Sequence, residues 1–393
     1  MEKKLNLDHI MLQAVYYVTI AAVLGFGTFT MLSRGYTSFQ VGLLIAVANL
    51  LSMLMNFGIS SLLDRNGRIN VFQMSLLLSV VLLAGYLINH LSEEPSILLS
   101  MAYVMDFALI AAMTPLFDQM STTFIKNGFN INFGTARAFG SLSYAVSCLI
   151  FGNLTEKYSY RGVTTVSIGF QIILILILYL TARHFGKTSG SSDDVSSQEK
   201  ADYLSFVTSH PSYVLACFGY AGLMGSFALL MENFLLPIVT AVGGSTVDTG
   251  NIQALKGFVE IPVMFGFVWL EKKMKLNDIF LVTVISFIIK NLIMTMTRSV
   301  APIYYSQILQ CTTFALIVPA FISYVNKTVR KNEIARAFAL QAMVSTAVQM
   351  LMNALGGHII DSLGIRALCI MATAVSVICG ILLMVSVNRS ETE

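Results

Sequence analysis

The chain has 393 residues, 56% of them hydrophobic and 11% charged, with a formal net charge of +3. A water-soluble domain carries roughly 25% charged residues, so in water this chain would leave wide apolar surfaces bare, and an ordinary soluble domain is excluded. Nucleic acid is not the expected partner at so small a net charge; the solvent that fits is a lipid bilayer.

The first residues, Met1 to Asp8, are short and charged. They run into an apolar stretch that is too long for a removed signal peptide and lacks its small-residue cleavage site. A spanning helix needs about 20 mostly apolar residues. Runs of that kind between polar breaks predict twelve segments, near 10–32, 39–63, 70–91, 96–125, 135–155, 161–183, 211–240, 247–270, 278–297, 300–326, 333–360 and 364–387. The connections are short apart from 186–202, GKTSGSSDDVSSQEKAD, a Ser-rich polar stretch with no apolar periodicity. It predicts an N-terminal six-helix bundle over 1–185, a cytoplasmic linker over 186–204 and a C-terminal six-helix bundle over 205–393. Cys148, Cys217, Cys311, Cys369 and Cys379 all fall in apolar runs without a CxxC or a metal-ligand cluster. They read as small hydrophobes, and neither metal nor cofactor is expected.

Lys and Arg set the orientation. With the N-terminus inside, fifteen fall on cytoplasmic segments and five on the opposite side, which places both termini in the cytoplasm of a multi-pass protein of the bacterial inner membrane. The halves echo each other. Ala136-Arg137-Ala138-Phe139 opens the fifth segment and Ala335-Arg336-Ala337-Phe338 the eleventh, while Gly152, Glu156 and Arg161 share their spacing with Gly357, Asp361 and Arg366. Such a repeat marks facilitator transporters, an all-α membrane fold of two pseudo-symmetric six-helix bundles.

An ionisable side chain at the centre of a spanning helix costs at least about 2.5–3.5 kcal/mol on insertion scales and needs a partner or a wet cavity. Six qualify: Asp106, Asp118, Arg137, Glu232, Glu260 and Lys290. Asp118 and Arg137 sit equally far from the middle of the connection between the fourth and fifth segments. Antiparallel neighbours bring such residues to one depth, where a carboxylate–guanidinium pair can form. Glu260 and Lys290 each lie fifteen positions from Lys275, the centre of the connection between the eighth and ninth segments. At 1.5 Å rise that is about 22 Å along a helix, so both are expected near the midplane. Asp106 is out of phase with Asp118 and has no evident cation. Glu232 precedes Asn233 and Pro237, where the helix backbone is weakened. Tyr144 lies two turns beyond Arg137 on nearly the same face and offers a stacking ring for a sugar. Asn56, Gln307 and Gln310 are further amides within segments, Asn56 reading as interhelical glue.

On these residues the chain resembles the oligosaccharide–proton symporter group of the major facilitator superfamily, the lactose permease-like transporters. Asn132-Phe133-Gly134-Thr135-Ala136-Arg137-Ala138-Phe139-Gly140 is similar to that group's motif with the sugar-binding arginine. The resemblance puts Tyr144 where the group has a sugar-stacking tryptophan, and Asp118 within one residue of its sugar-binding glutamate. It puts Glu260 at the carboxylate linking sugar binding to proton transfer, and Lys290 where the group has an arginine. It implies a solute site of Asp118, Arg137, Tyr144, Glu260, Lys290 and Gln310, with Glu260, Asp118 and Glu232 as proton carriers. Leu62-Leu63-Asp64-Arg65-Asn66-Gly67-Arg68 resembles the superfamily's cytoplasmic gate, with Asp64, Arg65, Gly67 and Arg68 as its working residues and Ser60 in place of the leading glycine. One departure is large: Gln310 and Thr313 stand where the group has a titrating histidine and glutamate.

The expected function is therefore secondary transport. The first reading is a symporter, coupled to protons or another cation, that imports a small hydroxylated solute such as a sugar, oligosaccharide or nucleoside, and acts as a monomer in the bilayer. The alternative is a proton-coupled efflux pump for amphipathic compounds. Facilitator antiporters usually carry Gly and Pro in the fifth helix, whereas here it holds Gly140 and Gly152 without Pro. No HExxH, GxSxG or GxGD motif occurs, so an intramembrane enzyme is not expected.

Overall fold

The structure is a computed structural model describing residues 2–66, 70–126, 129, 133–185, 203–330 and 333–390. All regular structure among them is helical. In chain order the α-helices are α1 Glu2–Ile20, α2 Gly27–Leu32, α3 Ser38–Asn66, α4 Val71–Leu91, α5 Ile97–Lys126, α6 Phe133–Tyr158, α7 Tyr160–Phe185, α8 Tyr203–Ser209, α9 Pro211–Ala228, α10 Leu235–Ala241, α11 Thr246–Lys273, α12 Leu276–Met296, α13 Val300–Ser306, α14 Phe314–Thr328, α15 Ile334–Leu363 and α16 Ile365–Ser390. Eleven helical stretches among the described residues are long and apolar enough to cross a membrane. The predicted eighth segment is present as α11, 28 residues long, but is not one of the eleven. Of the predicted gate, Gly67 and Arg68 and the side chains of Asp64 and Arg65 lie outside the described residues, as does the linker stretch 186–202.

Three predicted segments are broken rather than continuous, and each break has a local signature. A π turn, Ala21–Gly25, separates α1 from α2, and Phe26 at φ −122° and ψ 2° leaves the helical region between two glycines. A second π turn, Leu229–Asn233, separates α9 from α10. Pro237 lies one turn on; it has no N–H for the carbonyl of Asn233, and its ring crowds that carbonyl, so the weakened backbone expected around Glu232 is found there. A 3₁₀ turn, Gln307–Cys311, separates α13 from α14. Such interruptions are tolerated at membrane depth only where other groups satisfy the freed backbone. Gln253 does so at the second break, its Nε2 donating to the carbonyl of Met231 at 2.9 Å.

The chain packs as two compact units, Met1–Tyr36 with Val47–Ser196, and Thr37–Ala46 with Ser197–Glu393. In the first, α1 packs on α6 and α7, and α4 on α5 and α7. Tyr16 stacks on Phe117 with centroids 4.2 Å apart, and its hydroxyl donates to the carbonyl of Ile110 at 2.6 Å, pinning α1 to α5 beside Pro115. In the second, α9 packs against α15 and α16, and α12 against α16. Gly219 makes that approach possible: a Cβ there would lie 2.7 Å from the backbone nitrogen of Leu383. Around α9 a core of Tyr213, Phe227, Phe280, Phe287 and Phe321 is shielded from solvent. At the edge of the same unit Lys327 and Ser323 donate to Glu271, which holds its carboxyl below the usual carboxylate range. The first turn of α3 belongs to this unit too. Asp361 accepts from the backbone N–H groups of Ser38 at 3.2 Å and Phe39 at 2.7 Å, where the positive end of a helix favours a carboxylate.

Candidate functional site

The intramembrane charges fall into two clusters, one in each unit.

In the first unit, Asp118, eight residues before the end of α5, faces the start of α6. Asp118 Oδ1 and Arg137 Nη1 are 3.5 Å apart, with the two side chains 41% and 43% exposed. At that length the contact is an ion pair rather than a hydrogen bond, so the guanidinium fork keeps donors for a ligand. The ring set over Arg137 is that of Tyr17 on α1, with the guanidinium carbon 5.2 Å from its centroid. Gly140 lets that ring in, since a Cβ there would meet it at 2.8 Å. Tyr144, two turns beyond Arg137 on α6, has its hydroxyl 3.5 Å from where a Cβ on Gly25 would stand. Gly25 closes the π turn, about two turns along from Tyr17. Gln13, 1% exposed, lies beside Asp118, and neither of its amide atoms finds a partner of hydrogen-bonding geometry. An unsatisfied buried amide costs about 1–3 kcal/mol.

In the second unit, Lys290 on α12 is 1% exposed. Its Nζ donates to Gln310 Oε1, and to Gln307 Oε1 at 3.2 Å. The 3₁₀ turn explains why both amides reach one ammonium, because residues three apart eclipse each other in that geometry. Gln310 then donates from Nε2 to Glu260 Oε1 at 2.6 Å. Glu260 and Lys290, predicted to face each other, are thus joined through a neutral amide instead of directly. The broken α13–α14 segment wedges Gln310 between them.

Beside this chain of contacts, Lys256 Nζ lies 3.5 Å from Glu232 Oε1 in the second π turn. Lys256 and Lys290 also sit 5.3 and 5.6 Å from the centroid of Phe227. Two lysines therefore flank one aromatic ring, Lys256 paired with Glu232 and Lys290 joined to Glu260 through Gln310, an arrangement in which cation–π attraction offsets part of the desolvation. Lys256 is not among the site residues that sequence reasoning predicts. Its signal is present all the same, since it precedes Glu260 by four residues and so shares its helix face. Thr313 donates to the carbonyl of Leu309 at 2.9 Å, within its own turn. Asn233 donates to Asn353 at 2.7 Å and ties the break after α9 to α15.

Comparison with known proteins places this architecture. The model of the family described as MFS_1 like family matches residues 9–386. No curated protein matches the chain. Among solved structures, the nucleoside transporter NupG is similar over 97% of this chain and 98% of its own, with 11% identity and a TM-score of 0.78. A bacterial homolog of the human lysosomal transporter Spinster is similar over 98% of this chain and 97% of its own, at 14% identity and a TM-score of 0.71. The POT family transporter PepTSo is similar over 99% of both chains, at 10% identity and a TM-score of 0.71. Likeness at these identities shows the fold, which is that of major facilitator transporters.

Proposed function

The chain belongs to the MFS_1 like family, and we propose that this multi-pass membrane transporter is a proton-coupled symporter importing a small hydroxylated solute, a sugar, oligosaccharide or nucleoside, by alternating access. In this reading residues 1–185 and 205–393 are the two six-helix bundles, 186–204 is a cytoplasmic linker, both termini are cytoplasmic, and the protein works as a monomer in a bacterial inner membrane. Asp64, Arg65, Gly67 and Arg68 form its cytoplasmic gate.

Asp118 and Arg137 bind solute hydroxyls, with Tyr144 stacking and the ring of Tyr17 and the amide of Gln13 joining them. The planar fork suits paired hydroxyls. Glu260, Lys290 and Gln310 couple solute to proton, with Glu232 and Asp118 as further carriers.

One observation carries the reading: the run Glu260–Gln310–Lys290 within the membrane segments. A carboxylate joined to an ammonium through a neutral amide has two states. Ionised, Glu260 accepts strongly from Gln310 and holds Lys290 in line; protonated, it loses most of that attraction and releases the amide. Such a group is a switch that a proton can throw. Because Gln310 and Thr313 do not titrate, the lactose permease-like resemblance extends to the solute site and not to the proton relay.

Thermal unfolding of the detergent-solubilised protein tests the solute class. Sugars, nucleosides, aromatic acids and cationic drugs are compared at two pH values, nucleosides being included because one structurally similar protein transports them. A sugar or nucleoside is expected to raise Tm saturably, by the linkage between binding and stability. A rise with cationic drugs alone would contradict this reading and favour efflux.

A further inference from the structure

We infer that the second unit carries a site for the phosphate of an anionic phospholipid, set between Arg298 and Arg366. Five basic residues are expected on the side of the membrane away from the linker, where basic residues are scarce. Three of them are engaged. Arg34 donates to the carbonyls of Thr30 and Asn89, Arg161 pairs with Glu93, and Lys157 lies 5.3 Å from the ring of Tyr158. Arg298 and Arg366 are exposed, and among the described residues neither pairs with a carboxylate. The two carboxylates at their end of the unit are taken. Asp361 accepts from the N–H groups of Ser38 and Phe39, and Asp248 from the N–H of Ser245 and the hydroxyl of Tyr304.

Both arginines line one cavity of about 310 Å³. Arg298 lies two residues past the end of α12 and Arg366 is the second residue of α16, so both stand where these helices leave the hydrocarbon. The wall deeper in is apolar. Met294 and Cys369 line it four and three positions further into the same two helices, and Ile238 and Val242 line it from α10 and the residue after it. Thr295 and Thr297 also line the cavity, but their hydroxyls donate to the carbonyls of Asn291 at 2.9 Å and Ser299 at 2.7 Å. The strong side-chain donors left for a ligand are those of the two guanidiniums.

Unpaired cations at the mouth and apolar side chains at depth fit an amphiphile with an anionic head. Each planar fork can hold two phosphate oxygens, while the glycerol and the first methylenes lie on the apolar wall. The surroundings suit the rest of the lipid: Met296 beside Arg298 in the chain is 72% exposed, and Ile370, one turn on from Arg366, is 54% exposed. A soluble anion would meet the same two charges but leave that wall in water. The site depends on the chain spanning a membrane and not on which solute it carries.

The test is native mass spectrometry of the full-length protein, released from detergent containing limiting phosphatidylglycerol or phosphatidylcholine. Wild type is expected to keep a single tightly held phosphatidylglycerol and to release phosphatidylcholine. Arg298→Gln together with Arg366→Gln should weaken that binding ~30-fold, the loss of two basic contacts with an anionic lipid. Lys272→Gln together with Lys273→Gln, at the other end of the same unit, should leave it unchanged. Both arginines are exposed and unpaired, so their double variant should fold; should it not, either single change carries the test with a several-fold weakening. Equal retention of the two lipids, or a loss shared equally by the lysine variant, would overturn the site. So would displacement of the lipid by glycerol 3-phosphate at equal concentration, the mark of a site for a soluble anion.

Discussion

Glu260→Gln is expected to abolish uphill accumulation, bringing the ratio of internal to external solute to about 1, while solute binding and exchange down a gradient survive. Glutamine keeps the size of the side chain and an acceptor for Gln310 Nε2, which sits 2.6 Å from Oε1 in the native protein. What it removes is the charge that distinguishes the loaded from the empty state. Lys290 loses the anion at the far end of the amide bridge but keeps its bonds to Gln307 and Gln310, so the protein should still fold. The pH dependence of uptake should disappear with accumulation. Reconstituted vesicles with an imposed proton gradient would show both losses. If Glu260→Gln keeps full accumulation and Asp118→Asn alone uncouples, the proton is carried in the first unit and this mechanism is wrong.

Arg137→Ala carries the second large effect, loss of solute binding by at least ~100-fold. Two charge-assisted hydrogen bonds at roughly 1.5–3 kcal/mol each disappear, with no neighbouring donor fork to replace them. Folding should be nearly unchanged, because the Asp118 contact is 3.5 Å long and both side chains are about two-fifths exposed. Ion pairs of that kind contribute only ~0–1 kcal/mol. Arg137→Lys should recover a minor part of the affinity, since an ammonium supplies the charge without the planar fork. Equilibrium binding of the solute found in the thermal-shift panel would measure it. Full affinity in Arg137→Ala would remove Arg137 from the solute site, and a collapse of Tm would make it a structural residue.

The long helices were legible because twenty apolar residues between polar breaks have few other uses. The Asp118–Arg137 contact was legible for a different reason: hairpin symmetry fixes the depth of residues on antiparallel neighbours. The same symmetry set the depth of Glu260 and Lys290 but could not name what joins them, since Gln310 arrives from a third, broken segment. Those breaks were the hardest features to read. A π or 3₁₀ turn shifts hydrogen bonds by a single residue and leaves the hydrophobic pattern almost intact. Pro237 announced one of them; the turn at Ala21–Gly25 had only its flanking glycines. Tyr17 was missed because its closeness to Arg137 depends on how α1 packs against α6, which no local periodicity records.

Coupled uptake is the central claim, and one flux measurement tests it most directly. Purified protein in proteoliposomes, given an inward proton gradient and the sugar or nucleoside that raises its Tm, should accumulate that solute transiently above the outside concentration. A protonophore should return it to equilibrium. Entry that never exceeds the outside concentration under the gradient, or expulsion of preloaded solute against its own gradient, would contradict the account.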